Sequence, residues 1–230
     1  MHFHLPKPLH GWREFVGEVG IIVIGVLIAL GAEQVVESLH WHNQLREFEA
    51  AVDAEVASDL ATYHYRLKQE GCVARRIGEL ERWRDSARDG AVAPLAVEIG
   101  RPSVLTIKDT VWQTHGDAMA HMPLDRRLNY ADIYNLYETT RDQLIEERDV
   151  WRGLAGFNHV STITPDGLLR LNELLYRAKS VDWILRQNWQ QAADRAAKLG
   201  VRADFGSSLK YIPPPDPEFC RPLLSAPAAK

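Results

Sequence analysis

The sequence lacks the short motifs that mark common reaction centres. It contains no Gly-x-Ser-x-Gly elbow, no Gly-rich phosphate loop, no Cys-x-x-Cys pair and no His-Glu-x-x-His. The usual signatures of hydrolases, nucleotide-binding enzymes and zinc enzymes are therefore missing. We predict no catalytic residue and no cofactor, and a non-enzymatic role is favoured.

Basic charge and period-two alternation are also scarce. With 27 Lys and Arg against 31 Asp and Glu, the formal net charge is -4. There is no basic stripe, which argues against nucleic acid as a partner. No stretch alternates apolar and polar residues over a useful length, whereas apolar residues recur at spacings of three and four. With 46% apolar and 25% charged residues, the chain is predicted to form a packed all-α domain.

Cysteine is limited to Cys72 and Cys220. In an oxidising compartment, two thiols near opposite ends of a domain commonly pair. A disulfide would fasten the Pro-rich residues 211–222 to the helical body and close a very long loop, which stabilises by about 4 to 5 kcal/mol in the chain-entropy model. We predict this bond in a structural rather than a redox role; the alternative is two unrelated thiols.

Long apolar runs are limited to one, VGIIVIGVLIALGA from Val19 to Ala32. A helix needs about 20 mostly apolar residues to cross a bilayer, and residues 15–36 would cover roughly 30 Å. We therefore predict a transmembrane anchor over 15–36. The alternative is a cleaved signal peptide with a cleavage site near residues 29–31. Against cleavage, Glu18 directly adjoins the apolar run, and the helical register continues past the proposed site.

Charged and aromatic residues indicate where this anchor meets the two membrane surfaces, and small residues indicate a face on which it could pack. The residues predicted at the membrane interfaces are Trp12, Glu18, Glu33 and Trp41. The small residues predicted to share a packing face, over which another helix can approach closely, are Gly17, Gly25, Ala29 and Ala32. Ordinary glycine usage in a membrane span explains the second set equally well.

The orientation follows from basic residues beside the span. Lys7 and Arg13 precede it, whereas Arg46 stands alone in the matching stretch beyond it. By the positive-inside rule the N-terminal tail, residues 1–14, is cytoplasmic. Residues 37–204 would then form a helical bundle outside the inner membrane of a bacterium, in the periplasm.

The apolar pattern divides this bundle into four or five helices. The first continues from the anchor as a stalk to Leu67, and Gly71 is predicted as a kink or a turn before a second helix that stops at Asp89 and Gly90. A short third helix covers about residues 108–121. A fourth helix begins at Pro123, and its predicted buried face consists of Leu124, Leu128, Tyr134, Tyr137, Leu144 and Trp151.

The last helix has the clearest ends. Thr164 and Pro165 form a strong start signal, and Gly200 a C-terminal cap. The seam between them is apolar except for Asp182. The Pro-rich tail, residues 205–230, is predicted to be extended.

Two clusters have the spacing of metal ligands. Asp117 and His121 are four residues apart with His115 nearby, but two residues on one helix face do not make a site; hydrated surface residues are the favoured interpretation. Glu37 and His40 match the Glu-x-x-His of di-iron bundles, which require the motif twice. Because the motif occurs once, we prefer to interpret this stretch as part of a belt of residues at the membrane interface.

The stretch WREFVGEVGIIVIGVLIALGAEQVVE resembles the N-terminus of a group of uncharacterised bacterial membrane proteins, in which a Gly-Glu pair opens a short apolar span. Two further stretches, CVARRIGELERW and WILRQNWQQAADRAAKLG, resemble related proteins. The resemblance implies a single-span anchor with a helical extracytoplasmic domain. It implies no activity and assigns no functional residue.

The sequence therefore predicts a membrane-anchored interaction or scaffold module. Its partners would be the lipid bilayer and either another protein or a second copy of the chain, and not nucleic acid. One alternative is a sensor that binds a ligand between its helices and relies on a partner for output. Another is a metal-dependent enzyme built on His115, Asp117 and His121.

Overall fold

The computed structural model describes residues 11–87, 89–103, 105–114, 116–206 and 217–224. The helices are α1 (Trp12–Leu67), α2 (Glu70–Asp85), α3 (Thr110–Thr114), α4 (Gly116–Ala120), α5 (Leu124–Ala155) and α6 (Pro165–Leu199). Within these residues there is no strand, and a single isolated bridge pairs Ala91 with Thr162. The all-α prediction is confirmed.

The chain divides into two compact units, one up to Phe48 and the other from Glu49 onward. The first contains the apolar part of α1. An 18-residue window of this helix has a mean hydropathy of 2.4, and none of the window is buried. Ile21 and Ile28, for example, expose 74% and 67% of their surface. This one helix of the described residues is therefore long and apolar enough to cross a membrane.

In the second unit, α6 lies against two helices that follow each other along the chain. The contacts that show this are Leu60 with Trp189, Tyr63 with Leu185, Glu70 with Arg186 and Glu81 with Lys179. In each set of contacts the residue numbers rise along α1 or α2 as they fall along α6, so α6 is antiparallel to both helices. One half of α6 packs on the end of α1, and the other half packs on α2.

Helix α5 completes the bundle and runs parallel to α1. Glu49 pairs with Arg126 at one end of the contact, and Arg66 pairs with Glu147 at the other. The core beyond the end of α1 is built mainly from α2, α5 and α6. It includes the buried side chains of Trp83, Trp151, Ile77, Leu80, Leu154, Leu171 and Leu174.

The break between α1 and α2 precedes Gly71. The chain turns at Lys68 and Gln69, where the Gln69 N–H donates to the Arg66 carbonyl at 3.1 Å. Gly71 lies in the first turn of α2. The change of helix is therefore a tight turn, made before the glycine.

The predicted ends of α6 are confirmed. Thr164 Oγ1 accepts a hydrogen bond from the Gly167 N–H at 3.1 Å, and Pro165 occupies the first turn. Gly200 ends the helix with φ at 83°, a left-handed conformation that glycine adopts at little cost.

The predicted buried face of α5 is wrong at its start. Leu124 and Leu128 are 60% and 54% exposed, whereas Tyr134, Tyr137, Leu144 and Trp151 are buried as predicted. Arg126 and Tyr130 face α1 instead, because Glu49 and Asp53 of α1 bind them. The spacing of apolar residues does not show which positions of a helix face a neighbour through contacts between polar side chains.

The third predicted helix is shorter than expected. Lys108 and Asp109 are not helical: Asp59 accepts the Lys108 N–H at 3.0 Å, and Glu55 accepts the N–H of Val111 in the first turn of α3 at 3.1 Å. Helix α3 begins only at Thr110, and α4 ends at Ala120. Two buried carboxylates of α1 thus bind the main chain at the start of α3.

Candidate functional site

The predicted membrane residues lie on the surface of α1. Trp12, Glu18 and Glu33 are exposed, and Trp41 is half-buried. The predicted packing face, Gly17, Gly25, Ala29 and Ala32, is also exposed. A Cβ atom added at Gly17 or Gly25 would meet nothing within 4 Å. This face is available to another helix.

Among the described residues, the predicted metal ligands do not come together in a site. His115 lies outside the described residues. His121 lies in the turn after α4, where its N–H donates to the Ala118 carbonyl, so α4 does not carry it on one face with Asp117 as predicted. Over the described ranges, no three His, Cys, Asp or Glu residues lie close enough together to hold a metal ion. Glu37 and His40 are exposed on α1.

A buried ion cluster lies where α1 ends beside α5 and α6. Arg66 has no exposed side-chain surface, and it forms a bidentate pair with Glu147 through Nε and Nη2. Its Nη2 atom is also 3.7 Å from Asp182 Oδ1. Arg186 closes the cluster with an Asp182 contact of 3.2 Å, and it reaches Glu70 of α2 at 2.8 Å. One group of charges therefore joins four helices.

The electrostatics of this cluster favour a charged arginine. Burial opposes the charge on Arg66, but the Glu147 and Asp182 carboxylates outweigh it and raise its pKa. Burial also raises the pKa of Asp182, which Arg66 and Arg186 partly offset. Each buried charge has an opposite charge beside it, which is the condition for burying ions at acceptable cost. The charges of the cluster pair with one another, although Arg66 Nη1 and Asp182 Oδ1 are buried without a hydrogen-bond partner.

A second polar group consists of Glu55 and Asp59. Glu55 accepts the Tyr134 hydroxyl at 2.7 Å in addition to the Val111 N–H. Asp59 is 1% exposed, and burial raises its pKa to about 8, although the Lys108 N–H opposes the shift. Asp59 is therefore mostly protonated at neutral pH, unlike an ordinary aspartate.

Tyr134 also lines a small polar groove of about 270 Å³ between α5 and residues 109–113. Trp112 stacks on Tyr134 with ring centroids 4.9 Å apart, and Arg141 pairs with Asp109 at 2.6 Å. A wider cleft of about 540 Å³ lies between the turn at Gly90 and the start of α6. The groove offers hydrogen bonds and charge, and the wider cleft is lined mainly by apolar groups.

The predicted pairing of Cys72 with Cys220 is present. The two residues form a disulfide with their Cα atoms 5.0 Å apart, across a sequence separation of 148. Part of the predicted Pro-rich tail, residues 217–224, thereby packs on the body, and Phe219 and Leu223 are buried in its core. Residues 207–216 and 225–230 of that tail lie outside the described residues.

Sequence reasoning found the two cysteines and marked Asp182, but it missed Arg66, Arg76, Glu147 and Asp59. Arg66 and Glu147 are 81 residues apart. The sequence signal for such residues is a charged side chain at a helix position where the apolar repeat calls for an apolar one, as at Asp182.

Comparison with known proteins adds nothing to these observations. No family model matches the chain, and neither a curated protein nor a solved structure matches it. The resemblance to uncharacterised single-span membrane proteins therefore stays a prediction.

Proposed function

We propose that the protein is a membrane-anchored interaction module. The apolar part of α1 spans the inner membrane of a bacterium, with the N-terminus cytoplasmic. The helical unit from Glu49 onward is periplasmic and binds a protein partner or a second copy of the chain.

The observation that carries the proposal is the exposed apolar surface of α1. None of its most apolar 18-residue window is buried by the rest of the chain. Exposing apolar surface to water costs about 25 cal/mol per Å², and a bilayer removes that cost. The flanking Glu18 and Glu33 then lie near the two headgroup regions, where water hydrates them.

Two further features support the location. The Cys72–Cys220 disulfide is the kind of bond that persists in oxidising compartments. Lys7 and Arg13 precede the span, which favours a cytoplasmic N-terminus. The exposed small-residue face around Gly25 supports association with another membrane helix.

Insertion is tested by a charge in the middle of the span. Ile24→Lys is expected to cost about 3 kcal/mol of insertion free energy, and Ile24→Leu is the matched control. In a bacterial host, the wild type and the leucine variant should resist extraction from membranes by alkaline carbonate, and the lysine variant should be extracted. Extraction of the wild type would contradict the anchor.

Topology and partners need separate measurements. Protease added to intact spheroplasts should digest the unit from Glu49 onward, and protection of this unit would overturn the orientation.

Purification of the full chain in mild detergent should yield a dimer or a co-purifying protein. A strictly monomeric chain with no co-purifying protein at any salt concentration would count against the interaction role. Gly25→Leu, compared with Val26→Leu, tests whether the small-residue face mediates pairing.

A further inference from the structure

The C-terminal segment, residues 217–224, is bound in a groove much as a separate peptide would be. Arg76 Nη2 donates to the carbonyl oxygens of Phe219 at 2.8 Å and Arg221 at 3.1 Å. Glu79 accepts the Leu223 N–H at 3.0 Å. The Phe219 ring meets Trp151 edge to face with centroids 5.3 Å apart. The disulfide is thus the covalent part of a larger set of contacts on α2.

The two sulfur atoms of this disulfide have different surroundings. Cys72 lies in the first turn of α2, and its N–H donates to the Gln69 carbonyl at 2.9 Å. Arg75 Nη2 lies 3.8 Å from Cys72 Sγ. A helix N-terminus and a guanidinium both stabilise negative charge on sulfur. Cys220 lies in a turn whose main-chain carbonyl oxygens accept from Arg76 Nη2, while Arg76 Nε and Nη1 have no hydrogen-bond partner. Among the described residues, a guanidinium hydrogen-bonds to a cysteine sulfur at Cys72 and not at Cys220.

Both cysteines are partly exposed, as attack by a small thiol requires. In thiol–disulfide exchange, the sulfur that is more stable as a thiolate is the better leaving group. We propose that the Cys72–Cys220 disulfide is a thiol-exchange site, in which the thiolate of a dithiol attacks Cys220 Sγ and Cys72 leaves as the thiolate. This proposal does not depend on the membrane attachment.

The exchange balances without any other reactant. The electron pair of the Cys72–Cys220 bond passes to Cys72 Sγ as a new bond joins Cys220 to the incoming sulfur. The second thiol of the dithiol then attacks the incoming sulfur, which forms the cyclic disulfide of the reagent and releases Cys220. Two electrons and two protons pass from the dithiol to the protein. After the exchange, residues 217–224 contact α2 through non-covalent interactions alone.

The direction of attack is measured with a monothiol that stops at the first step. The folded full chain in mild detergent is mixed with glutathione, quenched with acid, alkylated and mapped by peptide mass spectrometry. Glutathione should be found on Cys220 and the alkyl group on Cys72. Glutathione mainly on Cys72, equal labelling of both, or no adduct until the protein is unfolded would each overturn the proposal.

Variants on α2 test the cause of the asymmetry. Arg75→Gln should slow the reaction of the folded protein by about threefold and shift glutathione toward Cys72. Arg75→Lys should restore most of the rate, because it restores the charge. Arg82→Gln removes an exposed arginine further along the same helix and should react like the wild type. In urea all four proteins should react alike. Equal rates for folded wild type and Arg75→Gln would refute the role of Arg75.

Discussion

Asp59 makes the stability of the helical unit depend on pH in an unusual direction. Its carboxyl is 1% exposed, and burial raises its pKa from 3.8 to about 8. Between these two values the folded chain keeps a proton that the unfolded chain releases. The folded state then binds more protons than the unfolded state, so the free energy of unfolding falls as pH rises from about 4 to about 8, and levels off above that.

The size of the effect follows from the same linkage. One pH unit inside this window changes the free energy of unfolding by up to about 1.4 kcal/mol. From pH 5 to pH 7, Asp59 alone therefore removes about 3 kcal/mol. Asp59→Asn has a neutral side chain at every pH, and its amide oxygen can still accept the Lys108 N–H. The substitution should remove this contribution and keep the local hydrogen bond.

The assay is urea unfolding of the full chain in mild detergent, followed by tryptophan fluorescence at pH 5, 6, 7 and 8. Other groups also titrate, so the quantity compared is the difference between Asp59→Asn and wild type. This difference should favour the variant by about 3 kcal/mol more at pH 7 than at pH 5. Asp194→Asn, at an exposed position on α6, controls for the loss of one carboxyl group. A difference that stays constant with pH would mean that folded Asp59 is already ionised, and would refute the reasoning.

Two further substitutions test the ion cluster and the end of α6. Arg66→Met leaves Glu147 and Asp182 without their shared positive charge, so it should lower the free energy of unfolding by about 3 to 5 kcal/mol; Arg177→Met, which removes a part-exposed pair between α5 and α6, should lower it by less than about 1 kcal/mol. Equal losses in urea unfolding would contradict the importance of burial. Gly200→Ala places a side chain at a φ of 83° with nothing within 4 Å of its Cβ, so it should cost about 1 kcal/mol through backbone conformation alone. An unchanged melting temperature would show that the helix end relaxes.

The parts of the fold that the sequence predicts are those with local causes. Thr164, Pro165 and Gly200 mark the ends of α6, because capping depends on residues within one turn. The exposed apolar run of α1 is equally visible, since it needs no partner within the chain. The cysteine pairing was accessible because the chain has two cysteines and no competing pair.

The remaining features depend on contacts between distant residues. Leu124 and Leu128 fit an apolar stripe, but the helix is turned by Arg126, which binds Glu49 across 77 residues. Lys108 and Asp109 are predicted to open the third helix, yet Asp59 accepts the Lys108 N–H and α3 begins only at Thr110. No local pattern distinguishes these carboxylates from the hydrated ones on the outside of α1.

The buried ion cluster restricts how α6 can pack on α1 and α2, which the apolar face of α6 alone would not do. Helix α6 crosses the turn between α1 and α2, and a seam of leucine and alanine would pack almost as well after sliding along its partners. A slide by four residues moves a side chain by about 6 Å along the helix axis, which would break the Arg66–Asp182 and Arg186–Glu70 pairs that join α6 to α1 and α2. Arg66 would keep Glu147, and Asp182 would keep Arg186 of its own helix, so a misaligned arrangement loses the ion pairs between α6 and its neighbours but leaves no buried charge alone. Asp182 and Arg186, which pair with α1 and α2, therefore favour one register of α6 against the turn.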